Sequence, residues 1–355
     1  MSEVISGNEI LRDKVVSLLN TATSESDISK ILVCLHEVEE ILINRQNVDE
    51  DDRSALLHEF SSHVVEFHVK SSFKVKSFVI NFIESLAKSY PEQVLKIINS
   101  FVSIVSDTCI DVVKKALQTG PHIYRQTMAL LCSRTQFVRK ASKEMVLAAK
   151  SLSYIRKKLS EHIKSELDVV RSLSVKFIEN VILCHSSVTR DANIVKTSAI
   201  NARLLPMGPD SFSLDNVSKN GLLFDYGAFR EVGEIYIAKL CNLISQAIRQ
   251  EAELSTKNVR VIFNALSSLG CHRSNLLKLI IPALLESYSS FIELKEKINM
   301  KCVNVFQTCF KSTFLKFLKL SSSVKWHNEL MSCLTTLGVK DQAEKARELS
   351  AIAAV

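Results

Sequence analysis

The chain has 355 residues, 46 % of them hydrophobic, and a formal net charge of +7. Only eight glycines and five prolines are present, too few for the many turns of a sheet-rich protein, so long helices with few breaks are expected. The basic excess is mild and spread out; it excludes a histone-like tail and favours acidic partners, but by itself it does not establish nucleic-acid binding.

In chain order, Asn8 is the expected N-cap of a first helix that carries Leu11, Val15, Leu18 and Leu19 on one side. A second helix is predicted from about Asp27 to Asn44, capped by Ser26 or Asp27, with Ile28, Ile31, Leu32, Leu35, Val38 and Leu42 as its apolar set. The acidic cluster Asp49 to Asp52 suits the start of a third helix, where carboxylates meet the positive end of the helix dipole. The next helix buries Val75, Phe78, Val79, Phe82, Ile83 and Leu86. Pro91 fits the first turn of the one after it, which carries Val94, Leu95, Ile98, Phe101 and Val105. A further helix holds Val112, Val113, Ala116 and Leu117 beside Lys114 and Lys115, and Gly120-Pro121 is expected to break or kink it. A helical region from about Phe137 to Leu167 leads to a helix with Val170, Leu173, Phe177, Ile178 and Val181.

The segment from His185 to Gly227 has no sustained helical period. It holds three of the eight glycines and two of the five prolines. Loops this long tend to be functional or disordered. Leu204, Leu205, Met207, Phe212, Leu214 and Phe224 argue that part of it lies against helices. Helices then resume at roughly Phe229–Gln250, Thr256–Leu269, Asn275–Phe291, Ile298–Leu320, Trp326–Leu337 and Asp341–Ala351.

Two of these helices echo each other: Val75-Lys-Ser-Phe-Val-Ile-Asn-Phe-Ile-Glu-Ser85 and Val170-Arg-Ser-Leu-Ser-Val-Lys-Phe-Ile-Glu-Asn180. Valine–basic starts recur at Val113-Lys114 and Val259-Arg260. Repeated amphipathic helices signal a repeat architecture, and divergent HEAT or armadillo repeats of about 40 to 47 residues fit this spacing. The expected fold is an all-α, HEAT/armadillo-like α-solenoid of about seven antiparallel helix pairs. It forms a single domain over residues 1–355, with one long, partly packed loop (186–227) across the concave face.

Nothing in the sequence carries a catalytic motif: GxxxxGK[ST], GxGxxG, GxSxG and HExxH are all missing, and an enzyme is not expected. The nine cysteines include no CxxC pair and read as buried thiols in a reducing compartment. Cys184-His185 and Cys271-His272 are helix neighbours about 100° apart, without zinc-ligand spacing, so they read as structural. His58, His63 and His68 spread around a helix. No metal, cofactor, small-molecule substrate or membrane contact is expected. The N-terminus lacks the basic and apolar regions of a signal peptide, and the run Leu276 to Leu285 is far shorter than the ~20 residues of a membrane span.

A polar stripe accompanies the second echo. Ser172, Lys176, Glu179 and Asn180 share one face, matched in the first copy by Ser77, Asn81, Glu84 and Ser85. Basic residues gather on the same helices: Lys74, Lys76, Lys114, Lys115, Arg139, Lys140, Lys143, Arg156, Lys157, Lys158 and Arg171. Their bland reading is a solvated face. Their functional reading is a contact surface for an acidic protein or an RNA, although no aromatic stacking pattern supports base reading. The candidate partner-binding residues are Lys176, Ser172, Glu179, Arg171, Asn81, Lys114 and Lys115.

These residues also carry a resemblance. The echo runs, Val112-Val-Lys-Lys-Ala-Leu117 with Ile123-Tyr124, Ser213-Leu214-Asp215, and Leu334-Thr-Thr-Leu-Gly338 with Gln342-Ala343-Glu344 occur in the order found in the symplekin N-terminal family. The resemblance spans nearly the whole chain. It implies a nuclear scaffold in the machinery that cleaves and polyadenylates pre-mRNA 3′ ends, together with other processing factors. It further implies that the domain holds and stimulates a phosphatase of the RNA polymerase II C-terminal domain (CTD). The family's concave-face lysine falls on Lys176. The chain departs from the family at Gly120-Pro121, where a continuous helix is usual, and near Cys271, where an asparagine is usual. A generic HEAT adaptor in transport or signalling and a scaffold with direct, salt-sensitive RNA contact are the alternatives.

Overall fold

The computed structural model describes residues 7–44, 49–135, 138–189, 212–219 and 221–352. Fourteen α-helices and no strand occur among them, the number expected of seven helix pairs. Tertiary contacts divide the chain into two units, Met1–Ser160 and Glu161–Val355.

In the first unit, α1 (Gly7–Ser24) packs on α2 (Ile28–Glu39), and a single wide π turn, Glu40–Asn44, follows α2. Asp27 caps α2 by accepting the Ser29 N–H at 2.8 Å. Asp49 likewise caps α3 (Glu50–Glu66), and Glu50, Asp51 and Asp52 fill its first turn, where the dipole favours carboxylates. Helix α4 (Phe73–Ser89) buries all six residues of its expected apolar stripe. Pro91 opens α5 (Pro91–Val105), where its missing N–H costs nothing. Next come α6 (Ile110–Thr135) and α7 (Lys143–His162), the latter ending just past the unit boundary.

Two layers result, α1–α3–α5 and α2–α4–α6, and each helix touches its hairpin partner and its layer neighbours. Contacts that stay this local in sequence are the mark of a solenoid. The second unit repeats the plan. Its helices are α8 (Asp168–Cys184), α9 (Tyr226–Ile248), α10 (Thr256–His272), α11 (Leu277–Leu294), α12 (Met300–Leu318), α13 (His327–Thr336) and α14 (Lys340–Ile352). Helices α8, α10, α12 and α14 form one layer, and α9, α11 and α13 the other. Its core centres on Phe310, whose ring lies 4.9 Å from Phe263, 5.3 Å from Tyr288 and 5.5 Å from Phe314. Gly270 lets α10 approach these layers closely: a Cβ there would stand 2.6 Å from the Phe317 ring and 2.8 Å from Leu277.

One expectation is corrected. Gly120-Pro121 does not break α6, which continues through it to Thr135. The proline forfeits one hydrogen bond and crowds the Leu117 carbonyl. Val112, Val113, Ala116 and Leu117 before it, and Ile123, Tyr124, Met128 and Leu131 after it, are all buried. Burial on that scale outweighs a local cost of ~3 kcal/mol.

Part of the long irregular segment does lie against helices. Phe212, Ser213 and Leu214 are buried, and Phe212 meets Phe229 of α9 edge-on. Leu214 donates its N–H to the Ser186 carbonyl at 3.2 Å, and the Asp215 carboxylate accepts the Val188 N–H at 2.6 Å. Thr189 is tied in turn to Ser274 and Asn275 at the start of the α11 region. The apolar residues Leu204, Leu205 and Met207, and the loop's expected path across a concave face, lie outside the described residues.

Candidate functional site

Helix α8 carries four of the seven candidate residues, and the layer neighbour α10 decides what each can do. Ser172 donates to the Asn258 side-chain carbonyl at 2.7 Å, and the Asn258 amide donates to Asp168 at 2.6 Å. Asn258 is fully buried. Arg171 donates to the Glu253 carbonyl at 2.9 Å, with the Asp168 carboxylate 3.8 Å away. Farther along α8, half-buried Glu179 lies close to Ser268 and His272 of α10 and to Lys176 of its own helix. Burial is the largest influence on Glu179 and pushes its carboxyl up, against the opposing pull of Ser268, His272 and Lys176.

Ser172 is therefore a buried fastener between α8 and α10, and Arg171 one between α8 and the turn before α10, each less than a tenth exposed. Lys176 is different. It is exposed on the same stripe, between Ser172, bonded to Asn258, and half-buried Glu179. Its helix is fixed against α10 by the Ser172–Asn258 bond, so the backbone that carries this ammonium needs no rearrangement to meet an anionic group.

In the first unit, Asn81 is exposed on α4, and Glu84 pairs with Lys88 at 2.9 Å. On α6, Lys114 pairs with Asp111 of its own first turn at 3.0 Å, and Lys115 is half-buried. Lys76 is committed internally to Asp107 at 2.6 Å, both groups nearly buried. Arg156 donates to the Tyr124 hydroxyl at 3.0 Å. The basic cluster seen in the sequence is thus partly spent on packing. Lys74, Arg139, Lys140, Lys143 and Lys157 remain exposed.

Sequence reasoning missed Asn258, the α10 residue that fastens the site. Val259-Arg260 marked that helix, but nothing local in the sequence pairs Asn258 with Ser172 or Asp168.

Of the two cysteine–histidine neighbours, Cys184-His185 belongs to the core, while Cys271 and His272 are half-buried. Cys184 and His185 are buried, His185 stacks on Phe229 at 3.8 Å, and its Nδ1 lies 2.7 Å from the Phe229 carbonyl. Burial pushes the Cys241 thiol up to about 12, and the Cys309 and Cys333 thiols to about 11. Thiols so held are protonated and poor nucleophiles. Among the described residues no cluster of His, Cys, Asp or Glu could hold a metal, and no helix is long and apolar enough to cross a membrane.

The sequence profile of the Symplekin/PTA1 N-terminal family matches residues 109–352, from just before α6 through α14. The chain belongs to that family. Among solved structures, a designed armadillo repeat protein is similar at 12 % identity, covering 84 % of this chain and 98 % of that one with a TM-score of 0.39. A computationally designed armadillo repeat protein for modular peptide recognition is similar at 14 % identity, covering 85 % and 98 % with a TM-score of 0.38.

Proposed function

We propose that this member of the symplekin/PTA1 N-terminal family is a nuclear, non-catalytic scaffold of the pre-mRNA 3′-end cleavage and polyadenylation machinery. It binds and supports an RNA polymerase II CTD phosphatase at the surface around Lys176. Family and fold are both of scaffold type. The observation that carries the residue assignment is the contrast on α8: Arg171 and Ser172 are spent within the protein, while Lys176 is left exposed beside them.

The mechanism is binding and allosteric support. A rigid helical surface orders the phosphatase without contributing a reacting group, and binding energy is retained because the surface needs no rearrangement. Other processing factors are further partners of the same scaffold.

The test is an affinity measurement between the chain and the cognate CTD phosphatase, with wild type and Lys176→Ala compared. Binding by the wild type and a loss of about tenfold or more in the variant is expected. No binding by the wild type overturns the function; equal binding by both overturns the Lys176 assignment alone.

A further inference from the structure

We infer that the groove between α5 and α7, within the first unit, docks an acidic amphipathic helix of a partner protein. Along α7, Lys143, Lys150 and Lys157 recur at heptad spacing, and Leu147 and Tyr154 recur at the same spacing between them. At 100° per residue all five fall in a wedge of about 80°, so they form one narrow stripe. The stripe is open: Leu147 is 48 % and Tyr154 45 % exposed, and neighbouring Val146 is 37 % exposed. Large apolar side chains in a contiguous exposed row mark interaction surfaces more often than chance.

The stripe borders a depression of about 380 Å³ lined by Val102 and Ser103 of α5 with Leu147, Lys150, Ser151 and Tyr154 of α7. A second depression of about 310 Å³ adjoins it, sharing Leu147 and Lys150 and adding Val146. Ser151 is buried at the groove, and its Oγ has no hydrogen-bond partner among the described residues.

Charge complementarity identifies the occupant. No ion pair engages Lys143, Lys150 or Lys157 among the described residues, and Glu144, on the Ser151 side of α7, is matched electrostatically by Lys96 of α5. Successive lysines stand about 10.5 Å apart along the helix axis. That is the distance between like positions of a second helix lying alongside, so acidic side chains repeating every heptad meet each lysine in turn. Apolar residues of the same helix then cover Leu147, Tyr154 and Val102, as in helix-in-groove recognition. A single-stranded RNA is a poorer match. It needs aromatic platforms along its length, and the stripe offers only Tyr154, which already has the Lys158 ammonium 5.8 Å from its ring centroid.

The inference is independent of the Lys176 reading. It is tested by fluorescence polarisation with the full chain and three labelled probes: a helical peptide with Glu and Leu in heptad register, a peptide of the same composition in shuffled order, and a single-stranded oligouridine. The register peptide is expected to bind best. Lys150→Glu and Leu147→Asp should each weaken it about tenfold, while the same charge change at Lys278, exposed on α11, leaves it unaltered. Lys143→Glu serves in place of Leu147→Asp if the latter loses helical circular dichroism. Failure of the register peptide to bind, equal binding of the shuffled peptide, tighter binding of the oligouridine, or occupation of the groove by a second copy of the chain would overturn the inference.

Discussion

The Lys76 ammonium reaches from α4 to the turn before α6 and lies 2.6 Å from the Asp107 carboxylate. In the second unit Arg171 reaches from α8 to the turn before α10 and donates to the Glu253 carbonyl at 2.9 Å. The basic residue after the valine thus does the same work in both echoes. It ties its helix to the turn that leads into the next helix of the layer. A neutral carbonyl replaces the carboxylate in the second copy, and Arg, with several donors, also keeps Asp168 within 3.8 Å.

Removing the first of these ties has a predictable cost. Asp107→Ala strands a nearly buried ammonium, and a loss of about 3 kcal/mol is expected from urea unfolding. Burial alone pushes the Asp107 carboxyl up; Lys76 and the Cys109 and Thr108 amides more than reverse this and hold it below its ordinary range. The tie is therefore complete above about pH 4, the unfolded carboxylate range, and fades as pH falls through the lower folded value. Part of the wild type's acid-induced loss should be missing from Asp107→Ala; identical acid profiles would refute the role.

Glu179 has the opposite sign. Burial raises its carboxyl, so the folded state disfavours its ionised form. Its penalty is absent below the unfolded value of about pH 4.3 and grows as pH rises toward the folded value. Glu179→Gln should melt higher than wild type at neutral pH, and the two should converge near pH 4. A variant that melts lower at neutral pH would show the pull of Ser268, His272 and Lys176 to outweigh burial.

Gly270→Ala pits two effects against each other. Alanine favours a helix interior by about 1 kcal/mol over glycine. At this site its Cβ would enter the Phe317 ring at 2.6 Å and Leu277 at 2.8 Å, and Phe317 is itself fully buried. Overpacking costs about 1–3 kcal/mol, so net destabilisation is expected in thermal melts. A melting temperature at or above wild type would mean that the α10–α12 seam yields.

Pro121→Ala should stabilise α6. The change restores an N–H to bond the Leu117 carbonyl within a helix that is already continuous. A gain of about 1 kcal/mol or more is expected, reduced by the greater freedom of the unfolded chain. Chemical denaturation measures it, and a loss of stability would indicate that the packing around α6 is shaped to the proline.

The helices were legible because burial writes itself at helical spacing. The six-residue stripe of α4 was read from sequence and is buried throughout. Helix starts were legible where the polar atom is local: Asp27 was one of two expected caps, and the acidic run from Asp49 marked the start of α3. The fate of charge was not. Lys76, Arg171 and Lys176 look alike in sequence, yet two are fastened inside and one is exposed. What separates them is a partner far along the chain, as at Asp107 or Glu253. The proline in α6 misled for the same reason: its local cost is visible, and the tertiary burial that overrides it is not.

Where the chain leaves α8 and comes back, Ser186 meets Leu214 and Val188 meets Asp215, so the excursion is closed at its base before anything inside it is considered. Once the base is closed, each doubling of the inserted length costs only about 0.6 kcal/mol in chain entropy. The seat between Thr189 and Phe212 is therefore a socket. The contacts at its rim do not depend on the length of chain between them, so lengthening that stretch is expected to cost the surrounding helices little stability.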